Sequence, residues 1–336
     1  MQLGKLGVRC GSAANFAEEP GGFGALLASA PDYFTTLAEA FGSDAVILVV
    51  PPGVRIERPI AIVHDVTFRD HRSAVFPRLY VDLGDGSQVT VVEHFRSEGG
   101  APLVCPVSEL RIGANAHLEY EAVQELDRSA WQIGYLYSSV GRDATVRSFT
   151  AGLGGDYARL CTRSTLAGEH SEGELLAAYF ADGDQVQDMR TFQDHAAPQT
   201  RSNLVFKGAV DDSARSVYSG LIRIHKGARK SDAAQTNRNL VLSERAHADS
   251  VPNLEIEEND VRCSHASAVG PIDREQRFYV ESRGVRPEVA ERLILLGFFE
   301  DLFARTLDRG LANYLRSAVA SRLDASKPVE SLGRAS

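Results

Sequence analysis

Short β-rich runs that end in glycine turns recur along most of this chain, and this repetition constrains the fold more than any other feature. Four of the turns stand at Gly84, Gly113, Gly141 and Gly168, roughly 28 residues apart. No helical pattern interrupts residues 46–282, so the region is typical of a β-solenoid or a large sandwich. A propeller would repeat more evenly and carry blade signatures. The sequence therefore predicts a mainly β fold built on a parallel β-helix.

Both ends of the chain follow a helical period instead. Near the N-terminus, Pro31-Asp32 form a favourable helix start. The apolar residues that follow at helical spacing are Phe34, Leu37, Ala38 and Phe41. We therefore expect a short N-terminal helical segment (1–45) before the β-helix core (46–282).

A second helical pattern begins at Pro287 and Glu288, which suit the first turn of a helix. Its apolar residues cover much of the circumference and are Ala290, Leu293, Ile294, Gly297, Phe298, Phe299, Leu302, Phe303 and Leu307. Such a helix is expected to be buried on two sides, against the solenoid and against a partner. We expect a C-terminal helical domain (283–325) and a disordered polar tail (326–336).

Charge and cysteine usage exclude several classes of protein. The formal net charge of −9, without a run of basic residues, argues against nucleic-acid binding. The longest aliphatic stretch, Val46–Val50, is too short to cross a bilayer, and the N-terminus lacks signal-peptide regions. The four cysteines are far apart with no Cys-x-x-Cys, which suits free thiols in a reducing cytoplasm. We expect a cytoplasmic protein without membrane or nucleic-acid partners.

Cys263 and His265 form the main candidate site. They lie two apart in a predicted strand, so both side chains leave the same face. A thiol and an imidazole suit iron or zinc, but two ligands do not close a metal site. The remaining ligands would have to come from elsewhere, for example from another chain. The alternative interpretation is structural, with one side chain in the solenoid core and the other an ordinary edge residue.

Other candidates have simpler structural interpretations. Glu255, Glu257, Glu258 and Asp260 could add oxygen ligands, but alternating charges beside a turn are typical of a solvated strand face. His195, after Asp194, could act as a base or ligand, although a structural role in a tight turn is favoured.

Enzyme signatures are absent from the chain. It has no Walker A lysine loop, no dinucleotide fingerprint, no His-Glu-x-x-His and no Gly-x-Ser-x-Gly. Residues 152–155 are glycine-rich but are interpreted as a turn. A carbohydrate-active enzyme on a β-solenoid would need clustered carboxylates in a surface groove, which a sequence neither shows nor excludes.

An ordered series of motifs resembles the SufB/SufD family of SUF iron–sulfur cluster assembly proteins. The motifs are Asp194-His195 through Pro198, Thr200 and Ser202, then Lys207-Gly208, Tyr218-Ser219-Gly220-Leu221, residues 252–256, Cys263-Ser264-His265, Glu275-Gln276, Phe278-Tyr279, Arg283-Gly284 and Gly297-Phe298. SufB proteins carry a cysteine where this chain has Thr236, and a glutamate where it has Ala266. The chain therefore looks most like the SufD branch.

The resemblance implies a right-handed parallel β-helix and a scaffold without catalytic activity of its own. It implies a heterodimer with SufB through the β-helices, with a homodimer as the alternative for the isolated chain. It also implies a SufC ATPase held by the C-terminal helices, through Leu293, Gly297, Phe298, Phe299 and Leu302. His265 would face the SufB cysteine across the interface, and Cys263 would be a less certain second ligand. The iron–sulfur cluster would be transient in the complex, with no cofactor tightly bound to this chain alone.

Two alternatives remain open at this point. One is a self-pairing, SufB-like scaffold, against which Thr236 and Ala266 count. The other is the β-solenoid carbohydrate-active enzyme, for which the sequence offers no export signal.

Overall fold

The computed structural model describes residues 3–16, 20–28, 32–67, 73–306 and 309–325. Nineteen strands and five α-helices are assigned in these ranges. The strands are β1 (Arg9–Ser12), β2 (Val46–Val50), β3 (Ile60–Thr67), β4 (Ala74–Val75), β5 (Arg78–Leu83), β6 (Gln88–Glu98), β7 (Leu103–Val104), β8 (Val107–Ile112), β9 (His117–Glu125), β10 (Trp131–Val140), β11 (Thr145–Gly152), β12 (Tyr157–Leu166), β13 (Glu172–Ala181), β14 (Val186–His195), β15 (Arg201–Val210), β16 (Arg215–Ile224), β17 (Asp232–Val241), β18 (His247–Ile256) and β19 (Arg262–Gly270). The helices are α1 (Ala25–Ala28), α2 (Tyr33–Phe41), α3 (Arg274–Glu281), α4 (Pro287–Phe303) and α5 (Arg309–Ala325), and short 3-10 segments lie at Leu3–Leu6 and Ala13–Asn15.

From β8 onward, successive strands alternate between two sheets. One sheet has 11 strands, with the main order β1-β2-β5-β8-β10-β12-β14-β16-β18, and the other has eight, in the order β19-β17-β15-β13-β11-β9-β6-β3. Among the described strand pairs, β1–β2 is antiparallel and the others are parallel. Each turn of the chain adds one strand to each sheet. The fold is therefore the predicted parallel β-solenoid, with about eight turns.

The glycine turns form one corner of the solenoid, where successive coils touch. A Cβ atom on Gly113 would lie 2.7 Å from the Leu83 carbonyl oxygen, and one on Gly168 would lie 2.1 Å from the Arg142 nitrogen. Glycine is therefore required because the preceding coil occupies the space of a side chain. At the same corner, Asn115 and Asp143 adopt φ of 55° and 54°, a left-handed conformation that asparagine and aspartate tolerate.

The solenoid core changes in character along its length. In the first coils it is aliphatic, with residues such as Leu48, Val81 and Leu118 fully buried. In the later coils it includes buried polar side chains such as Gln193 and Asn237. Because buried polar groups need hydrogen-bond partners, side-chain hydrogen bonds connect the polar residues of the later coils. In the earlier coils the buried Glu93 carboxylate accepts the hydroxyl groups of Ser108 and Tyr120.

The N-terminal segment covers part of the outer face of the 11-stranded sheet. The expected helix is present as α2, capped by the Asp32 side chain at the Phe34 N–H and by a reciprocal Thr35 contact. The buried Glu109 carboxylate of β8 accepts the backbone N–H groups of Leu26 and Leu27, each at 3.1 Å. This carboxylate therefore ties the segment to the sheet.

The strand region ends at Gly270, earlier than the predicted 282, because residues 274–281 form the helix α3. The prediction that no helix interrupts residues 46–282 is therefore wrong. Asp273 caps α3 by accepting the N–H groups of Glu275 and Gln276 at 2.7 and 3.1 Å. None of the eight helical residues is buried. Its apolar residues, Phe278, Tyr279 and Val280, are consecutive, so the sequence shows no apolar repeat at helical spacing.

The helices α4 and α5 fold back onto the outer face of the eight-stranded sheet. Leu295, Phe299 and Phe303 of α4 share a core with Phe149 of β11 and Phe180 of β13. The predicted tail (326–336) lies outside the described residues.

One buried lysine fastens α4 to the solenoid. Lys207 of β15 donates to the Phe298 carbonyl oxygen at 2.7 Å and pairs with the Asp301 carboxylate. Its ammonium group also lies 4.9 Å from the centroid of the Phe298 ring. The adjacent Gly208 leaves the space that the Tyr179 ring fills, because a Cβ there would lie 1.9 Å from Tyr179 Cε2.

Candidate interface site at the open end of the solenoid

The C-terminal end of the solenoid has two free strand edges. β18 and β19 are the last strands of their sheets, and in the described structure each has a sheet neighbour on one side, β16 and β17 respectively. An edge strand presents unpaired N–H and C=O groups that can receive another strand. The two edges lie at the same end of the molecule, so together they form one surface.

The interior of the last coil is exposed at this end. Leu254 and Ile256 of β18 are 37% and 46% exposed, whereas their register partners Ile222 and Ile224 in the preceding coil are 0% exposed. Val269 of β19 is 45% exposed. The open end is therefore a section through a solenoid core, with apolar side chains that a further coil would cover.

Cys263 and His265 lie on this section, in β19. Cys263 pairs in register with Ala233 and His265 with Gln235, and both partners are buried, so the pair occupies interior-facing positions. Cys263 is half-buried and packs beside Ile222 and Ala233. His265 is exposed.

The Cys263 thiol is not activated in this chain alone. Burial raises its pKa above the ordinary value, and the nearby Asp232 carboxylate raises it further. A reactive or metal-binding cysteine is a thiolate, which needs a lowered pKa. A metal ion or a positive group from another chain would therefore have to supply the charge that stabilises the thiolate.

The described residues do not complete a metal site around this pair. In the described ranges, no group of three or more histidine, cysteine, aspartate or glutamate side chains is arranged to hold a metal ion. Among the acidic candidates, Glu255 and Glu257 pair with Arg223 at 3.3 and 3.1 Å. Glu258 accepts the Gly227 N–H at 3.1 Å. These carboxylates are engaged on the strand face and in the turn, in agreement with their structural interpretation.

His195 is a structural residue of the core. Its Nδ1 is 2.7 Å from the Thr200 hydroxyl and its Nε2 is 2.8 Å from the Ser202 hydroxyl, and the ring is 0% exposed. Burial lowers its pKa from 6.5 to about 4, and the neighbouring His225 contributes. The neutral imidazole therefore has a structural role in a turn, as predicted. Among the described residues, it forms hydrogen bonds with side-chain hydroxyl groups there and not with the backbone. Asp194 pairs with Arg163 at 2.7 Å.

The residues predicted to bind the ATPase separate into two groups. Leu293 is 52% exposed, Gly297 borders open space, and Phe298 is partly exposed. Phe299 and Leu302 are 0% exposed because they face the eight-stranded sheet. These two residues are inaccessible in this conformation, so only the first three remain available for the predicted contact.

A charged groove lies on the outer face of the eight-stranded sheet, where a carbohydrate-active site could be sought. It has a volume of about 360 Å³ and contains Glu119, Glu172 and Glu174. Arg147 pairs with Glu174 at 2.6 Å and with Glu119 at 3.7 Å, and Arg201 pairs with Glu172 at 3.6 Å. The carboxylates are thus engaged by arginines, unlike the free acid and base of a glycosidase.

The sequence pattern did not indicate the apolar part of the open end. Leu254, Ile256 and Val269 alternate as core residues do, and their exposure follows only from their place in the last coil. Phe278 and Tyr279 of α3 add exposed aromatic surface, at 72% and 59%. In the sequence, the exposure of these residues is indicated only by their position in the last strands of the solenoid.

The parallel β-solenoid and the ordered motifs along it are those expected of the family of iron–sulfur cluster assembly proteins that the sequence resembles. The chain belongs to that family, because residues 66–298 match the family described as SUF system FeS cluster assembly, SufBD core domain. Over 296 residues it is 31% identical to the iron–sulfur cluster assembly protein SufD of Escherichia coli, covering 87% of this chain and 70% of the relative. It is 35% identical over 279 residues to an iron–sulfur cluster assembly SufBD family protein of Mycobacterium leprae, covering 80% and 70%. The SufD protein of Bacillus subtilis is 30% identical over 293 residues, covering 86% and 66%. In the part of the chain that the structure describes, no helix is long and apolar enough to cross a membrane.

Proposed function

We propose that this chain is a SufD-type, non-catalytic scaffold subunit that pairs with SufB through the edges of β18 and β19. The observation that carries the proposal is the exposed section through the core, where Leu254 and Ile256 continue a column of side chains that is fully buried one coil earlier. Apolar surface of this kind beside two free strand edges favours a partner that extends both sheets. Such pairing would bury the exposed apolar side chains, and it would also provide hydrogen-bond partners for the backbone N–H and C=O groups of the two edge strands.

The iron–sulfur cluster is the cargo of this assembly, held transiently where the two chains meet. His265 is exposed on the interior-facing side of β19, so it can reach a partner, and Cys263 lies beside the core as a weaker second ligand. A partner cysteine would complete a ligand set that this chain leaves open. The cytoplasm, where thiols stay reduced, is the compartment that suits these four free cysteines.

We propose that the SufC ATPase binds the exposed side of α4 around Leu293, Gly297 and Phe298. Leu293 is 52% exposed on a helix whose opposite side is anchored to the sheet. Gly297 keeps the helix surface low, with no atom within 4 Å of the position of a Cβ. An exposed apolar side chain beside such a gap favours insertion of a partner side chain.

Co-expression with SufB and SufC tests the whole proposal. We expect this chain to purify in one complex with both proteins and to accumulate iron only in that complex, as measured by native mass and iron analysis. Solution mass measurements of the chain with and without SufB distinguish a committed heterodimer from a self-pairing scaffold. A homodimer that persists in the presence of SufB would contradict the proposal.

Replacing His265 with alanine is expected to lower cluster yield on the reconstituted complex by at least about tenfold, since even residues outside the ligand set commonly change metal affinity by that factor. The yield is measured by absorbance and by iron and sulfide content. His247→Ala is a matched control, because His247 is an exposed histidine on the neighbouring edge strand. An unchanged yield in His265→Ala would remove the role proposed for this residue.

Two charge substitutions are expected to show that the proposed SufC-binding and SufB-pairing surfaces are independent. Leu293→Asp should abolish SufC binding and retain SufB, whereas Leu254→Asp should abolish SufB pairing and retain SufC. Both side chains are substantially exposed, so a carboxylate costs little in the free chain but much in a desolvated interface. Affinity co-purification of each variant with both partners measures the outcome. Loss of both partners in either variant would show that the surfaces are not independent.

A further inference from the structure

An unpaired amide lies beneath His265 in the solenoid. Gln235 of β17 is the register partner of His265 and is 1% exposed. Register partners in neighbouring strands face the same side of the sheet and lie about 5 Å apart. Both polar atoms of the Gln235 side chain, Oε1 and Nε2, lack a hydrogen-bond partner among the described residues. The exposed imidazole thus has a buried, unsatisfied amide as its neighbour on the interior face.

The opposite sheet makes room for this amide. A Cβ atom on Gly220 would lie 2.3 Å from Gln235 Nε2 and 2.8 Å from Gln235 Cδ. The amide therefore occupies the space that the missing side chain of Gly220 leaves. Gly220 is part of the Tyr218-Ser219-Gly220-Leu221 motif, whose role the fold alone does not explain.

Gln235 differs from other buried amides of the core. Gln187 and Gln193 each leave Oε1 without a partner but donate through Nε2, whereas both polar atoms of Gln235 are unpartnered among the described residues. Asn237 follows on the same face, and its Nδ2 donates to the Tyr179 hydroxyl at 3.1 Å and to the Phe206 carbonyl oxygen at 3.3 Å. A buried polar group without a partner destabilises the folded state. Gln235 is thus best explained by a hydrogen bond that forms in another state of the protein.

We propose that Gln235 is a positioning residue for His265. When one ring nitrogen of His265 binds iron of the nascent cluster, the N–H of the other ring nitrogen donates to Gln235 Oε1. Histidines that bind metals almost always donate their second N–H to an oxygen acceptor, which fixes the orientation of the ring. The inference rests on the proposed function, because it takes His265 as an iron ligand in the complex with SufB.

The substitution Gln235→Met tests this role, because methionine is similar in length and has no strong hydrogen-bonding group. In the isolated chain we expect Tm to rise by about 2 °C, since an unsatisfied polar group is removed from the core. In the complex with SufB and SufC, we expect the affinity for ferrous iron to fall by about 10- to 100-fold. Calorimetry measures the first quantity, and anaerobic titration against a ferrous chelator measures the second.

Gln187→Met is the matched control. Gln187 is also a fully buried glutamine, and its Oε1 likewise lacks a partner among the described residues, but its Nε2 donates to the Gly154 carbonyl oxygen at 3.0 Å. It lies on β14, away from the open end. This control should lower Tm and leave the iron affinity unchanged. Gln235→Leu provides a second apolar variant if methionine does not fit.

The outcomes separate this inference from the proposed function. Higher stability with weaker iron binding supports the positioning role, because a merely structural residue would lower both quantities. If His265→Ala weakens iron binding and both Gln235 variants bind iron normally, the inference is wrong and the proposed function stands. If both Gln235 variants lose stability, the amide is structural and the inference is also wrong. If His265→Ala binds iron normally, the proposed role of His265 fails first.

Discussion

Phe299→Ala is expected to destabilise the protein by about 3–5 kcal/mol, the range for removing a fully buried phenylalanine ring. Phe299 is 0% exposed, and its ring stacks on Phe303 with centroids 5.8 Å apart. Its neighbours in the core include Leu176 and Phe180 of the eight-stranded sheet. The loss therefore falls on the contact between α4 and the solenoid. Urea unfolding with linear extrapolation measures the change in the free energy of unfolding.

Phe298→Ala is the matched control for this prediction. Phe298 is the adjacent residue of the same helix, but its ring is partly exposed and contacts the Lys207 ammonium group. We expect a loss of about 1 kcal/mol, because little buried surface is removed. Equal losses in the two variants would contradict the assignment of Phe299 to the core and of Phe298 to a more exposed face of α4.

Acidification is expected to reduce stability through His195. The pKa of the imidazole is about 4 in the folded chain and 6.5 in the unfolded chain. Between these values the unfolded chain binds a proton that the folded chain does not, so stability falls as the pH decreases from about 6.5 to 4. The shift corresponds to about 3 kcal/mol at pH 4, since one pKa unit is about 1.4 kcal/mol. Urea unfolding at several pH values measures this slope.

His195→Gln separates this histidine from the carboxylates that titrate in the same range. The variant should be less stable at pH 7, because the bonds to Thr200 and Ser202 are perturbed. Its stability should decline less steeply than that of the parent chain between pH 6.5 and 4. Parallel pH profiles of the two proteins would show that His195 is not the titrating group.

The architecture could be predicted from the sequence because its cause is local. Each glycine corner, such as Gly113 or Gly168, is required by contact with the preceding coil, and that contact repeats at nearly constant spacing. The helix α2 could be predicted for a similar reason, since its cap at Asp32 is encoded within four residues. The helix α3 could not, because it is only eight residues long and its apolar residues, 278–280, are consecutive instead of following a helical spacing.

The site was harder to predict because exposure depends on position in the stack. Ile222 and Leu254 are both apolar and both face the interior, yet only Leu254 is exposed. The same limit applies to α4, where Leu293 and Phe299 are both apolar in sequence but lie on different faces of the helix, one exposed and the other buried. The Cys263 and His265 pattern indicated a shared face correctly, while the unpaired amide of Gln235 required the three-dimensional structure.

The order in which coils stack has a consequence for synthesis on the ribosome. Each strand pairs with one about a coil earlier in the chain, as Asp232 pairs with Arg201 and Arg262 with Asp232. The solenoid can therefore grow coil by coil as the chain emerges, each coil templating the next. The surface that bears His265 is completed last, and α4 must return to Lys207 after that. A nascent chain would thus acquire the surface that bears His265 only after the preceding coils have formed.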